Sequence, residues 1–288
     1  MSLNPDNVNT HSLIINPAKK LKMGHGWMWV NEGFRYFTSS KYMWLSAMFS
    51  LVFVVLMLIK IVPIVQLLLV LILPLVTAGL GLACHAIEQN KPMHVSYLIK
   101  GFVHPNNVNL FRYGFWLILL MIVAQMIGSI LLGIIGIPQE TVAGELQRLS
   151  NNSSPSFESI MASPVLAKYF IMTFIMMLPI TAINIFAPYV LVFTNFSALQ
   201  AIKYCFVGVI RNIYPIILYA IVYLILIVFT YFILSGLESL LFIFFSKESI
   251  IASMLYLIVM IFCLMFIAAL SYCSSYVAFK DIFTGEEV

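Results

Sequence analysis

Few residues in this 288-residue sequence have the type and spacing to do chemistry. His85 and Glu88 stand three apart, so on a helix both lie on one face. They can form a polar cluster or an ordinary pair facing a membrane interface. Gln66, Gln125 and Asn184 fall inside long apolar runs. Such side chains bond across helices, at about 0.6 kcal/mol each and at most about 2. The alternative is a shared polar cavity, for which Gln66, His85 and Asn184 are the candidates. Cys84, Cys205, Cys263 and Cys273 show no CxxC spacing and read as small apolar fillers. Met172, Met176 and Met177 are soft enough for copper, but adaptable packing accounts for them as well.

Catalytic motifs are missing. The sequence contains no HExxH, GxSxG, Walker or GxGxxG pattern, and a single span histidine cannot supply the facing ligands of a haem. No Asp or Glu lies well inside an apolar run, where a centred charge costs about 2.5–3.5 kcal/mol and survives mainly where it works. No catalytic, cofactor-binding or metal-binding residue is therefore assigned, and no cofactor is expected. Prolines are more informative. Pro74, Pro179 and Pro188 lie within apolar runs, where proline frees a carbonyl and kinks a helix. Kinks at matching places in a repeat mark some transporter sites.

The elements that must position these residues follow from composition. Hydrophobic residues make up 62% of the chain and charged residues 9%, with mean hydropathy +1.03. A soluble domain carries about 25% charged residues, so a soluble enzyme, a disordered chain and a nucleic-acid binder are excluded. A spanning helix needs about 20 apolar residues. Six runs qualify, at about 43–62, 64–87, 113–137, 169–193, 213–234 and 250–277. Leu237–Phe245 is apolar but short, either an interfacial turn or an extension of the fifth span. Residues 1–23 read as a polar tail, 24–282 as one transmembrane domain and 283–288 as a second tail. The expected fold is all-α and polytopic, with six transmembrane helices in three hairpins and amphipathic helices on the cytoplasmic side.

Lys and Arg set the orientation. Five precede the first span, three follow the second, two follow the fourth and Lys280 follows the sixth, whereas only Lys60, Arg148, Lys168 and Lys247 lie opposite. Both termini are expected in the cytoplasm of a bacterial inner membrane. Loop 138–167 is then external. It is unusually long, with a polar break at residues 151–156 and one short helix expected over Gln139–Leu149.

Three cytoplasmic stretches share a layout: Trp27–Lys41, Val95–Arg112 and Ala198–Arg211. Each has apolar residues near helical spacing and ends in a basic residue before an odd-numbered span. Trp27, Phe34, Arg35, Arg112 and Arg211 are the residues expected at the membrane interface, with Phe37 inserted beside Trp27 and Phe34. The plan is an interfacial helix and a hairpin, three times over.

Particular residues carry a resemblance. Gly26-Trp27-x-Trp29, Gly33-Phe34-x-x-Phe37 and Trp44 resemble the opening of a family of uncharacterised bacterial inner-membrane proteins. Pro74, Ala78-Gly79, Ala83-Cys84-His85-Ala86 and Lys91-Pro92 resemble its second span and following loop. Ala187-Pro188-Tyr189-Val190-Leu191-Val192, with Ala201 and Arg211, is similar to the fourth span and next amphipathic helix of YciC-like proteins and of the membrane domain of some glycerophosphodiester phosphodiesterases. The resemblance implies a six-helix inner-membrane protein and no catalytic residues. The expected role is a non-enzymatic accessory or scaffold subunit; the alternative is a small transporter or lipid-handling protein. Expected partners are membrane lipid and either another membrane protein or a second copy, with no nucleic acid.

Overall fold

The computed structural model describes residues 18–61, 65–152, 157–245 and 249–284, which hold helices and connecting turns and no strand. The helices are α1 (His25–Ser39), α2 (Lys41–Ile61), α3 (Val65–Glu88), α4 (Tyr97–Lys100), α5 (Asn107–Ile134), α6 (Gln139–Asn152), α7 (Phe157–Ala162), α8 (Pro164–Phe193), α9 (Ala198–Arg211), α10 (Ile213–Phe244) and α11 (Ile250–Phe283). Of these, α2, α3, α5, α8, α10 and α11 are long and apolar enough to cross a membrane. The protein is an all-α polytopic membrane protein. Its spans are apolar on all sides, and a helix is the form in which such a segment satisfies every backbone group without water.

The spans fall into two sets. α3, α8 and α11 touch one another and form the centre. α2 leans on α11 and α3, α5 lies against α3 and α8, and α10 lies along α11. Three of the non-spanning helices close one end: α1 on α11 and α10, α4 on α3, and α9 on α8, while α6 and α7 lie between the end of α5 and the start of α8. This is the threefold layout expected from the three basic, aromatic stretches. Each short helix rests on the second span of the hairpin before it, and α1 closes the ring by resting on the last span.

Local sequence explains the ring. α9 starts with a capping box, in which the Ser197 N–H donates to Gln200 Oε1 at 2.9 Å and the Ser197 hydroxyl accepts from the Gln200 N–H. Its buried stripe is Ala198, Ala201, Cys205, Gly208 and Val209, small enough for close approach. α1 buries Gly26, Trp29, Val30, Gly33 and Phe37 at helical spacing. Gly33 is needed because a Cβ there would stand 2.7 Å from the Cα of Ser274. Gly101 serves α4 likewise, since a Cβ would lie 2.8 Å from the Leu75 carbonyl carbon.

The structure corrects several boundaries. The helix expected over Val95–Arg112 is one turn, Tyr97–Lys100, followed by a loop, and Asn107–Arg112 already belong to α5. Leu237–Phe244 extends the fifth span rather than turning along the interface. The short helix in the 138–167 segment runs on to Asn152, and the fourth span starts at Pro164. The sixth span continues to Phe283, so Lys280 is part of a helix rather than of a tail. Phe37 is not inserted into lipid: it is buried against Phe266, with ring centroids 5.2 Å apart.

Burial is uneven along the inner spans. The C-terminal parts of α3, α8 and α11 are sealed by Leu80, Cys84, Tyr189, Leu191, Tyr276 and Phe279. The opposite half of α11 exposes Ile250, Met254, Ile258 and Phe262. In water such a face would be a large aggregating patch, whereas in a bilayer it meets acyl chains.

Candidate functional site

The polar chemistry of the described residues concentrates at the C-terminal ends of α3 and α11. Lys280 and Asp281 are consecutive, so they point about 100° apart around the helix. Lys280 pairs with Glu88 of α3. Asp281 accepts a hydrogen bond from Trp29 Nε1 at 2.7 Å, and His25 Nδ1 lies 2.7 Å from the same oxygen. Both of those residues belong to α1. The end of α11 is thus tied to two elements through opposite charges, although Lys280 and Asp281 are both buried. A buried charge without a partner costs several kcal/mol, so the pairing is a condition of the packing.

A second layer of bonds surrounds Glu88. Tyr276 donates its hydroxyl to Glu88 Oε2 at 2.9 Å. His85 Nδ1 lies 3.2 Å from the Tyr276 oxygen and 3.4 Å from Glu88 Oε2. Gln89 places its side-chain amide 2.8 Å from His85 Nε2, so both ring nitrogens have a polar neighbour. His85 and Glu88 are therefore a polar cluster, joined to the sixth span. Tyr36 of α1 packs its ring edge-on to Tyr276. Burial, and then the Glu88 carboxylate, push the Tyr36 phenol well above its ordinary value. An open cleft of about 310 Å³ borders the cluster, lined by Arg35, Tyr36, Ser39, Ile87, Glu88 and Asn90.

Among the described side chains, the two that the alternative of a shared polar cavity would bring together stand apart. His85 sits in the cluster just described, while Asn184 accepts a hydrogen bond from the Tyr113 hydroxyl at 3.0 Å. These are separate neighbourhoods, and the Gln66 side chain lies outside the described residues. Gln125 also bonds across helices, its amide donating to the Tyr169 hydroxyl at 2.9 Å. Pro74 and Pro188 are buried inside continuous helices, whereas Pro179 is exposed on the outer face of α8. Beside Pro188, the Tyr189 ring stands 6.1 Å from Tyr276 and 5.7 Å from Phe279. Aromatic packing fills this part of the centre.

The interfacial residues divide. Trp27 and Phe34 are exposed on α1, and Arg35 is exposed and paired with Glu32 at 3.0 Å. Arg211 donates to the Ala18 carbonyl at 3.2 Å. Arg112 stands exposed at the start of α5. Sequence reasoning missed His25, Lys280 and Asp281. The available signal was a Lys-Asp pair directly after a run rich in Tyr and Ser, where a helix continuing beyond its apolar part would bury both charges.

Chemically, the cluster couples helices. Its carboxylates face cations, N–H donors or the Tyr276 hydroxyl, and no group of three or more His, Cys, Asp or Glu side chains among the described residues is placed to hold a metal. No family model, curated protein or solved structure matches the chain.

Proposed function

We propose that this protein is a non-enzymatic accessory or scaffold subunit of a bacterial inner membrane, of the YciC-like kind, with both termini in the cytoplasm. One observation carries the reading: polar side chains of the inner spans are spent on partners within the protein. Asn184 is taken by Tyr113, His85 by Glu88 and Tyr276, and Glu88 by Lys280. A carrier coupled to an ion gradient commonly keeps an ionisable group accessible at mid-depth. Here the ionisable groups stand at the helix ends, and the centre is aromatic. The outer faces of α5 and α10, by contrast, present Phe115, Ile122, Met126, Phe229 and Phe232, all exposed. These faces suit lipid and a neighbouring membrane protein or second copy.

A photo-crosslinking residue at Phe229, paired with reconstitution of the purified protein into liposomes, tests this. A discrete adduct of fixed mass in intact cells, with no solute or lipid movement beyond that of empty liposomes, is the expected result. Substrate movement by the reconstituted protein would replace the scaffold by the small transporter or lipid-handling alternative.

A further inference from the structure

Each outer span begins beside a basic residue, and the three residues differ in what they hold. Lys41 lies over the Tyr42 ring, 5.2 Å from its centroid. Arg211 is bonded to the Ala18 carbonyl. Arg112 has no ion pair, hydrogen bond or ring contact among the described residues. It is the sixth residue of α5, about 8 Å along the helix by rise, and it is exposed.

Arg112 lines an open notch of about 470 Å³ together with Leu75, Phe102, Asn107, Val108 and Phe111. The notch is built by the fold. Gly101 lets the 101–107 turn press against α3, and Gly114 lets α5 do the same, since a Cβ there would stand 2.9 Å from the Leu75 neighbour Leu71 at its Cα. Phe102 and Phe111 then frame a recess whose floor is apolar and whose rim is a guanidinium. The Asn107 amide is engaged within its own loop, donating to the Phe102 carbonyl at 2.6 Å. Lys100, 3.5 Å from the Tyr97 ring centroid, adds a second positive charge on the neighbouring turn.

We propose that this notch binds one anionic glycerophospholipid, with its phosphate on Arg112 and the first carbons of its chains against Phe102, Val108 and Phe111. A guanidinium grips a phosphate through two parallel N–H bonds. Basic residues at the cytoplasmic face gain from anionic lipid. No carboxylate lines the notch, so the ammonium of a zwitterionic headgroup meets no counter-charge there. The apolar floor distinguishes a lipid from a free anion, because only a lipid fills both parts.

The test is native mass spectrometry of the full purified chain with phosphatidylglycerol or phosphatidylcholine of identical acyl chains. Phosphatidylglycerol is expected to be retained about fivefold better. Arg112→Gln is expected to erase that preference, Arg112→Lys to keep part of it, and Arg35→Gln to leave it unchanged. Val108→Trp fills the recess from an exposed position and is expected to lower retention while Arg112 remains, which decides the matter if Arg112→Gln does not fold. Unchanged preference in Arg112→Gln overturns the proposal. So does full competition by inorganic phosphate together with normal retention in Val108→Trp, since the site would then be one for a free anion.

Discussion

Asn106 and Asn212 occupy the same place in successive units of the fold. Each stands immediately before an outer span; Asn106 turns its carboxamide onto the exit of α8, and Asn212 turns its own onto the stretch that leads into α1. Asn106 Nδ2 donates to the carbonyls of Leu191, Thr194 and Phe196, where α8 ends. Asn212 Nδ2 donates to the Lys19 carbonyl, and its Oδ1 accepts from the Leu21 N–H at 2.9 Å. Residue 19 is in turn bonded to Ile282, near the end of α11. In the first unit the corresponding place, between Ser39 and the exit of α3, is the open cleft bordering Glu88.

Asn212 is therefore a clasp for the stretch that leads into α1. It is fully buried, and its removal leaves the Lys19 carbonyl and the Leu21 N–H, both on half-buried residues, without this partner. Asn212→Leu is expected to lower stability by about 1–3 kcal/mol, seen as an earlier thermal midpoint in detergent. It should also make the chain before α1 more sensitive to limited proteolysis. Unchanged proteolysis would mean that residues 18–21 are held by other contacts.

The Glu88–Lys280 pair couples the second and sixth spans. Breaking a fully buried pair costs about 3–5 kcal/mol, and an exposed one at most about 1. Lys280 is buried but Glu88 remains partly exposed, which places Glu88→Gln near 2 kcal/mol. The double change Glu88→Gln with Lys280→Met is expected to be milder than the sum of the two single changes. Strict additivity of midpoints in a double-mutant cycle would show that the two side chains do not act together.

All six spans were legible in hydropathy, because a run of about 20 apolar residues has few other uses. Their ends were not. Asn107, Asn109 and Arg112 look like loop by composition, yet they form the first turns of α5. Lys280 and Asp281 look like a tail, yet they are buried in α11. In both places a tertiary partner decides: the α3 groove holds the start of α5, and Glu88, His25 and Trp29 hold the charges. Composition within one segment carries no information about such partners. His85 with Glu88 could be noticed because both lie on one helical face. His25 and Asp281 are 256 positions apart, and only the closure of the ring by α1 brings them together.

Orientation is open to direct measurement. The Lys/Arg distribution puts Asn195, at the exit of α8, in the cytoplasm and α6 outside. Both Asn195 and Ser150 of α6 are exposed. A membrane-impermeant thiol reagent added to intact cells is expected to modify Ser150→Cys and to spare Asn195→Cys until the membrane is permeabilised. The reverse pattern would invert the topology and move the Arg112 notch to the other leaflet.

His104 supplies a pH dependence with a definite sign. It lies in the loop between α4 and α5, and its Nδ1 accepts the Asn106 N–H at 3.1 Å. Burial lowers its pKa below the ordinary 6.5. In the interval just below 6.5 the unfolded chain binds a proton that the folded chain refuses, so stability falls as pH drops. The contribution is complete above the unfolded value and is lost through the folded one. Protonation also removes the acceptor that holds Asn106, the residue clasping the exit of α8. His104→Asn keeps a short acceptor at the same position and cannot titrate. Between pH 7 and pH 5 the thermal midpoint of the native protein is expected to fall more steeply than that of His104→Asn, with the two converging near neutrality. Parallel curves would remove His104 from the acid limb, and a steeper fall in the variant would reverse the sign argued from its burial.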